Sequence, residues 1–162
     1  MEELLPPMTE HGAGFEPTQV CQITVYMENR VGRLQQLVRA YEEAGGRIIA
    51  LVVQGLADSA LIRLICADPK QASQALRSAG FTFFEQEVLL VELDKQEPAP
   101  IMALCGVLLS AEINIQYAYP LLLPPKGPAL AMLVEDPILA GQVLIRKGYR
   151  LVGQSDLGRR GA

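Results

Sequence analysis

Along residues 20–27, Ile23, Val25 and Met27 alternate with polar neighbours, the pattern of a half-buried strand. The turn ENRVG follows. Leu34, Leu37, Val38 and Tyr41 then recur at helical spacing until Gly45-Gly46 stops the run. RIIALVVQ and SALIRLICA predict two strands around a turn from Gly55 to Asp58. Asp68-Pro69 predicts a helix start, because the carboxylate accepts from free first-turn amides and proline fills the position that needs no amide. Ala72, Ala75, Leu76 and Ala79 form the expected buried stripe, Gly80 ends the helix, and a strand near 81–85 closes the unit.

The same order then repeats. Residues 136–149, DPILAGQVLIRKGY, answer residues 68–81, DPKQASQALRSAGF, with Asp, Pro, Ala, Gln, Leu and Gly at identical offsets. The period of about 68 residues implies whole small domains in tandem, not solenoid units. The second copy reads as strand 87–93, helix 99–110, strand 113–121, a PPKGP loop, strand 129–134, helix 137–147 and strand 149–153. Ile101, Leu104, Cys105 and Leu108 occupy the helical positions of Leu34, Leu37, Val38 and Tyr41. Both copies therefore predict strand-helix-strand-strand-helix-strand, the split βαβ of α+β ferredoxin-like folds, with an antiparallel sheet and both helices on one face. The expected division is an extension over residues 1–18, domains over 19–86 and 87–154, and a tail over 155–162. The two ends match neither copy and are expected to be poorly ordered unless something pins them.

Composition narrows the function classes. Half of the 162 residues are apolar and a fifth are charged, which excludes a disordered chain or a coiled coil. Apolar runs are all interrupted before the roughly 20 residues of a membrane span. MEELLPPMTE is acidic and has no apolar core, so it does not read as a secretory signal. A net charge of −4 with no basic stripe argues against a nucleic-acid partner. Cys21, Cys66 and Cys105 are odd in number and far apart, which suggests reduced thiols and a cytoplasmic location. All three are expected to be small core residues.

Catalytic residues are not in evidence. The only histidine, His11, falls in the extension, so neither copy offers a Ser-His or Cys-His pair. Cys and His residues at metal-ligand spacing are also missing, and no cofactor is implied. Glu42 and Glu43 read as a solvated helix face.

The loop ENRVGRL carries the local signal. Gly32 stands at a helix amino end, where unpaired amides and partial positive charge favour a small carboxylate. Asn29 would bond a ligand's amino or carboxylate group, and Arg30 or Arg33 would add charge. In the alternative reading, Asn29 caps the helix, Gly32 relieves a tight turn and both arginines are solvated.

QITVYMENRVGRL with AGGRIIAL, and VLLVELDKQEPAPI with SAEINIQYAY, resemble the ACT family of regulatory amino-acid-binding domains. Together they most resemble the stand-alone tandem ACT proteins of bacteria, over residues 19 to about 153. Val31 stands where the family usually has Pro, and Pro98-Ala99 where it has Pro-Gly, so the resemblance favours the first copy as the ligand site. It implies side-by-side pairing of domains through their second strands, and a homodimer is expected. Independently, RIIALVVQ and INIQYAYPLLL are long and apolar, and bare edges of that kind need covering. Carried onto this chain, the family's effector site nominates Glu28, Asn29, Arg30, Gly32, Arg33 and Leu34, with Asn114 from the other copy. Asn114 reads equally as an ordinary strand-start residue. The resemblance implies a non-enzymatic sensor of a small amino acid. A rival is a regulatory subunit that docks on an amino-acid biosynthetic enzyme, as the regulatory subunits of acetolactate synthase do.

Overall fold

The computed structural model describes residues 19–159. His11 lies outside the described residues, as does the whole expected extension. The chain runs β1 (Gln19–Glu28), α1 (Arg33–Glu42), β2 (Ile48–Gly55), β3 (Ser59–Cys66), α2 (Pro69–Ser78) and β4 (Thr82–Glu92). It continues through α3 (Pro100–Ser110), β5 (Ile115–Pro120), β6 (Ala129–Val134), α4 (Pro137–Arg146), β7 (Leu151–Val152) and α5 (Gln154–Gly158). All strand pairings are antiparallel, in the order β2-β3-β1-β4-β6-β5, with β7 also on β4. Two ferredoxin-like βαββαβ units are present, each with its two helices on one face of its sheet.

The strands expected near 81–85 and over 87–93 are one continuous strand. The first half of β4 pairs with β1, from Tyr26↔Thr82 to Gln19↔Leu89. Its last residues pair with β6 on one edge, Leu89↔Met132 to Glu92↔Ala129, and with β7 on the other. β4 therefore closes the first unit and opens the second. Alternation assigns its faces: Phe83, Leu89 and Val91 point toward the helices, Val88 and Leu90 to the opposite side.

Three apolar clusters follow. Leu37 and Tyr41 of α1 and Ala72 and Leu76 of α2 pack on Ile23, Val25, Ile62 and Leu64. Leu104 and Leu108 of α3 and Ala140 and Leu144 of α4 pack on Leu89, Val91 and Met132. The third cluster joins the helix-free faces of the two units, where Val20, Ile49, Ala50 and Ile65 meet Tyr119, Leu121, Ala131 and Val152. The sheet thus folds back on itself about β4, with α1 to α4 outside and an apolar seam inside.

This arrangement corrects the expected pairing of second strands within the chain. β2 and β5 end the strand order and share no ladder. Ile49 and Ala50 of β2 share the inner apolar cluster with Tyr119 of β5, and just beyond β5 the amides of Leu122 and Leu123 donate to the Ile49 carbonyl at 2.8 and 3.1 Å. Sharing β4 brings the two inner faces together without a ladder between the second strands.

Helix starts follow the expected chemistry. Asp68 accepts from the Gln71 amide at 3.0 Å and Asp136 from the Leu139 amide at 2.9 Å, each followed by proline. Gly46 leaves room for the buried Tyr41 ring, which a Cβ at that position would overlap. Three burial expectations fail. Ala79 and Cys105 are exposed and Ile101 is half-exposed, because the inward stripes narrow to Ala72, Ser73 and Leu76 on α2 and to Leu104 and Leu108 on α3. Residues 154–158 are a helical turn and not a loose tail. Gln154 Oε1 accepts from the Cys21 amide, Gln154 Nε2 donates to the Cys66 carbonyl, Leu157 is buried, and Arg47 donates to the Leu157 carbonyl at 2.6 Å.

The seam also holds polar groups. Gln22 is fully buried; its amide nitrogen donates to Thr24 Oγ1 at 3.1 Å and to Tyr117 Oη at 2.7 Å. Tyr119 Oη donates to Gln22 Oε1 at 2.5 Å, and the Arg63 guanidinium lies 4.2 Å from the Tyr117 ring centre. Every hydrogen bond here between a first-unit residue and Tyr117 or Tyr119 depends on the two sheets facing each other. Tyr119→Phe should therefore cost about 1–3 kcal/mol, because it leaves the buried Gln22 oxygen without its donor. Urea unfolding of the two proteins measures this, and equal midpoints would contradict it.

Candidate functional site

Gly32 caps α1 with φ +85°, a left-handed conformation in which a side chain is strained, and no heavy atom lies within 4 Å of where its Cβ would be. The turn alone thus accounts for glycine at this position, and the space above it is open. Asn29 makes no side-chain cap. Its backbone amide donates to the Asp58 carbonyl at 3.0 Å, and its side-chain nitrogen lies beside Gly55 of the β2–β3 hairpin. Arg30 and Glu28 form an exposed ion pair at 3.7 Å. Arg33 donates to Gln36 at 2.9 Å and stacks over Phe81 at 4.6 Å from the ring centre. Leu34 is half-buried against the first core. These six residues therefore gather at one end of β1. Asn114 sits in the second unit, between α3 and β5, where its side chain donates to Glu135 at 3.4 Å. It is not among the hydrogen-bonding partners of the loop.

The corresponding loop of the second unit borders a cavity of about 380 Å³. Glu92, Leu93, Asp94, Glu97 and Pro100 line it together with Lys147, Gly148, Tyr149 and Arg150. Three backbone features hold the loop in place. The Gln96 amide donates to Asp94 Oδ1 at 2.8 Å, the Ala99 amide to Glu97 Oε1 at 3.4 Å, and Pro100 starts α3. Arg150 pairs with Glu92 at 3.7 Å and reaches Asp156 at 4.0 Å. Burial, and after it the Glu97 and Asp94 carboxylates, push the Tyr149 phenol above its ordinary range. Carboxylates and cations thus face one hollow, a lining suited to a small zwitterion. Sequence reasoning favoured the first copy over this loop because Pro98-Ala99 stands where the ACT pattern has Pro-Gly. The signal was nevertheless present in the charge alternation of ELDKQE followed, across the unit, by RKGYR.

The family profile of the ACT domain pair matches residues 18–160. The chain belongs to the ACT domain family. Among solved structures, protein BT0572 of Bacteroides thetaiotaomicron is similar at 23% identity and a TM-score of 0.79, over 88% of this chain and 98% of that one. The regulatory subunit of aspartate kinase from Thermus thermophilus is similar at 12% identity and a TM-score of 0.55, over 78% and 91%. That of Thermus flavus gives 12% identity and a TM-score of 0.51, over 78% and 90%. These likenesses are of fold. A comparison with curated proteins finds no match. Among the described residues of this ACT pair, no three of His, Cys, Asp and Glu come together as a metal-holding group. No helix there is long and apolar enough to cross a membrane.

The cysteines of the ACT pair differ sharply in access. Burial pushes the Cys66 thiol up to about 12 and the Cys21 thiol up to about 11, whereas Cys105 is exposed. A thiol reagent at pH 8 should label Cys105 first, as mass mapping of the adducts would show. Both raised values lie above the ordinary 9.0, so the unfolded chain ionises first. The stability contributed by the neutral thiols is complete below pH 9 and falls as pH rises toward 12. Gly32→Val should lower stability by roughly 1–2 kcal/mol through strain at positive φ. Gly32→Asn should cost less, since Asn tolerates that region. Equal melting temperatures for the two variants would contradict the turn's role.

Proposed function

We propose that this ACT pair is a non-enzymatic sensor of a small amino acid. The observation that carries the reading is the mixed-charge cavity beside α3. Asp94 and Glu97 suit an ammonium group, Lys147 in the same lining suits a carboxylate, and about 380 Å³ accommodates a small amino acid. Ligand there would add a tie between the β4–α3 loop and the end of α4, biasing the arrangement of these two parts of the unit. The set Glu28, Asn29, Arg30, Gly32, Arg33, Leu34 and Asn114 is the second candidate for the same ligand. It is favoured by the open space above Gly32 and by the absence of a side-chain cap on α1.

A thermal-shift screen of the twenty amino acids tests the reading, because a ligand at a hundred times its Kd stabilises by about 2.7 kcal/mol. One or a few amino acids should raise the melting temperature of the isolated protein. Lys147→Glu should weaken that ligand at least tenfold by calorimetry, while Gly32→Asn leaves it unchanged. The opposite pattern would move the site to the first unit. A flat screen would sink the sensor and favour a subunit that answers only when docked on an enzyme.

A further inference from the structure

The two units provide an internal comparison, because the same fold carries two different outer helix layers. In the first unit the outward positions are polar: Gln35, Arg39 and Glu42 on α1, and Lys70, Gln74 and Arg77 on α2. The corresponding positions of the second unit are Met102, Gly106 and Leu109 on α3, and Ile138, Gln142 and Ile145 on α4. The correspondence holds because Leu37 and Tyr41 match the buried Leu104 and Leu108, and because the capping Asp68 matches Asp136. Met102 is 76% exposed, Leu109 77% and Ile138 66%, with Ile101 and Ile145 about half exposed. α3 has no charged residue from Pro100 to Ser110, and a helix that is apolar all round is normally a buried one.

We infer that the outer face of α3 and α4 is the surface through which two copies of this chain associate, helix layer against helix layer about a two-fold axis. Two observations select a second copy as the occupant. Met102, Leu109 and Ile138, with the half-exposed Ile101 and Ile145, put five large apolar side chains on one face, a patch on the order of the several hundred Å² that each partner of a standard interface contributes. Charge points the same way. A charge-free α3 gives a charged partner nothing to pair with, and burying that partner's charges against it would be costly. The same face on a second copy is equally apolar, and a two-fold contact needs self-complementarity and nothing more. This face is separate from the second-strand edges, so the interface differs from an edge-to-edge sheet. It is also separate from the amino-acid reading of the cavity and stands without it.

The test uses the full chain in sedimentation velocity across a concentration series, with circular dichroism as the folding control. Wild type should be a dimer at micromolar concentration. Met102→Gln with Leu109→Glu installs the residues that the first unit carries at the same positions, so the fold should persist while the dimer Kd rises at least tenfold. Adding Ile145→Arg should complete the loss. Phe84→Glu on the open sheet face and Val53→Lys on β2 should leave the dimer intact. A wild type that stays monomeric would overturn the inference, including the case in which it instead captures a different protein. So would a dimer that survives the α3 substitutions, or one lost only with Phe84→Glu or Val53→Lys.

Discussion

Between Leu89 and Val91, β4 is hydrogen-bonded on both edges, to β1 and β7 on one side and to β6 on the other. Neither unit has a complete sheet without it. A strand shared in this way cannot be pulled from one half without opening the other, so the two units are covalently and cooperatively linked at their centres. Alternation along the strand then sends Leu89 and Val91 to the second unit's helices and Val88 and Leu90 into the seam. A one-residue slip would exchange these sets and place apolar side chains against the wrong partners.

The inner seam depends on that geometry. Apolar contacts between Ile65, Val88, Ala131 and Val152 drive the two sheet faces together but tolerate sliding. The hydrogen bonds of Gln22 with Tyr117 and Tyr119 do not tolerate it, since each buried polar atom needs its partner at a defined distance. No buried side-chain nitrogen or oxygen among the described residues lacks a hydrogen bond. The Ile49 corner and the Gln154 contacts close the two ends of the same interface. The carboxyl-terminal turn is thereby part of the domain contact.

Duplication has let the two units diverge where the fold does not constrain them. The inward positions of matching helices stayed apolar, and both second helices retained Asp-Pro starts. The strand-to-helix loops went different ways. One turns through left-handed Gly32, and the other spans a longer acidic loop onto Ala99 and Pro100, beside which the cavity opens. The outer helix faces diverged as well, polar in the first unit and apolar in the second.

Most of the fold was legible in the sequence because its signals are local. Alternation marked the strands, helical spacing marked α1 and α2, and Asp68 and Asp136 announced their helices through bonds that span only three residues. The matched offsets of the repeat then implied two copies of one topology. The remaining features required contacts between residues far apart in the chain. Fusion of two expected strands into β4, the face-to-face seam, and the pinning of Gln154 by Cys21 and Cys66 all depend on partners more than 30 residues away. Cys105 and Ile101 show the same limit, because an all-apolar helix has no periodicity to say which stripe faces inward. The site divided along the same line. The sequence nominated the ENRVGRL loop from its glycine and charges, whereas the cavity exists only because packing brings Lys147 and Tyr149 into one lining with Asp94 and Glu97, some fifty residues apart along the chain.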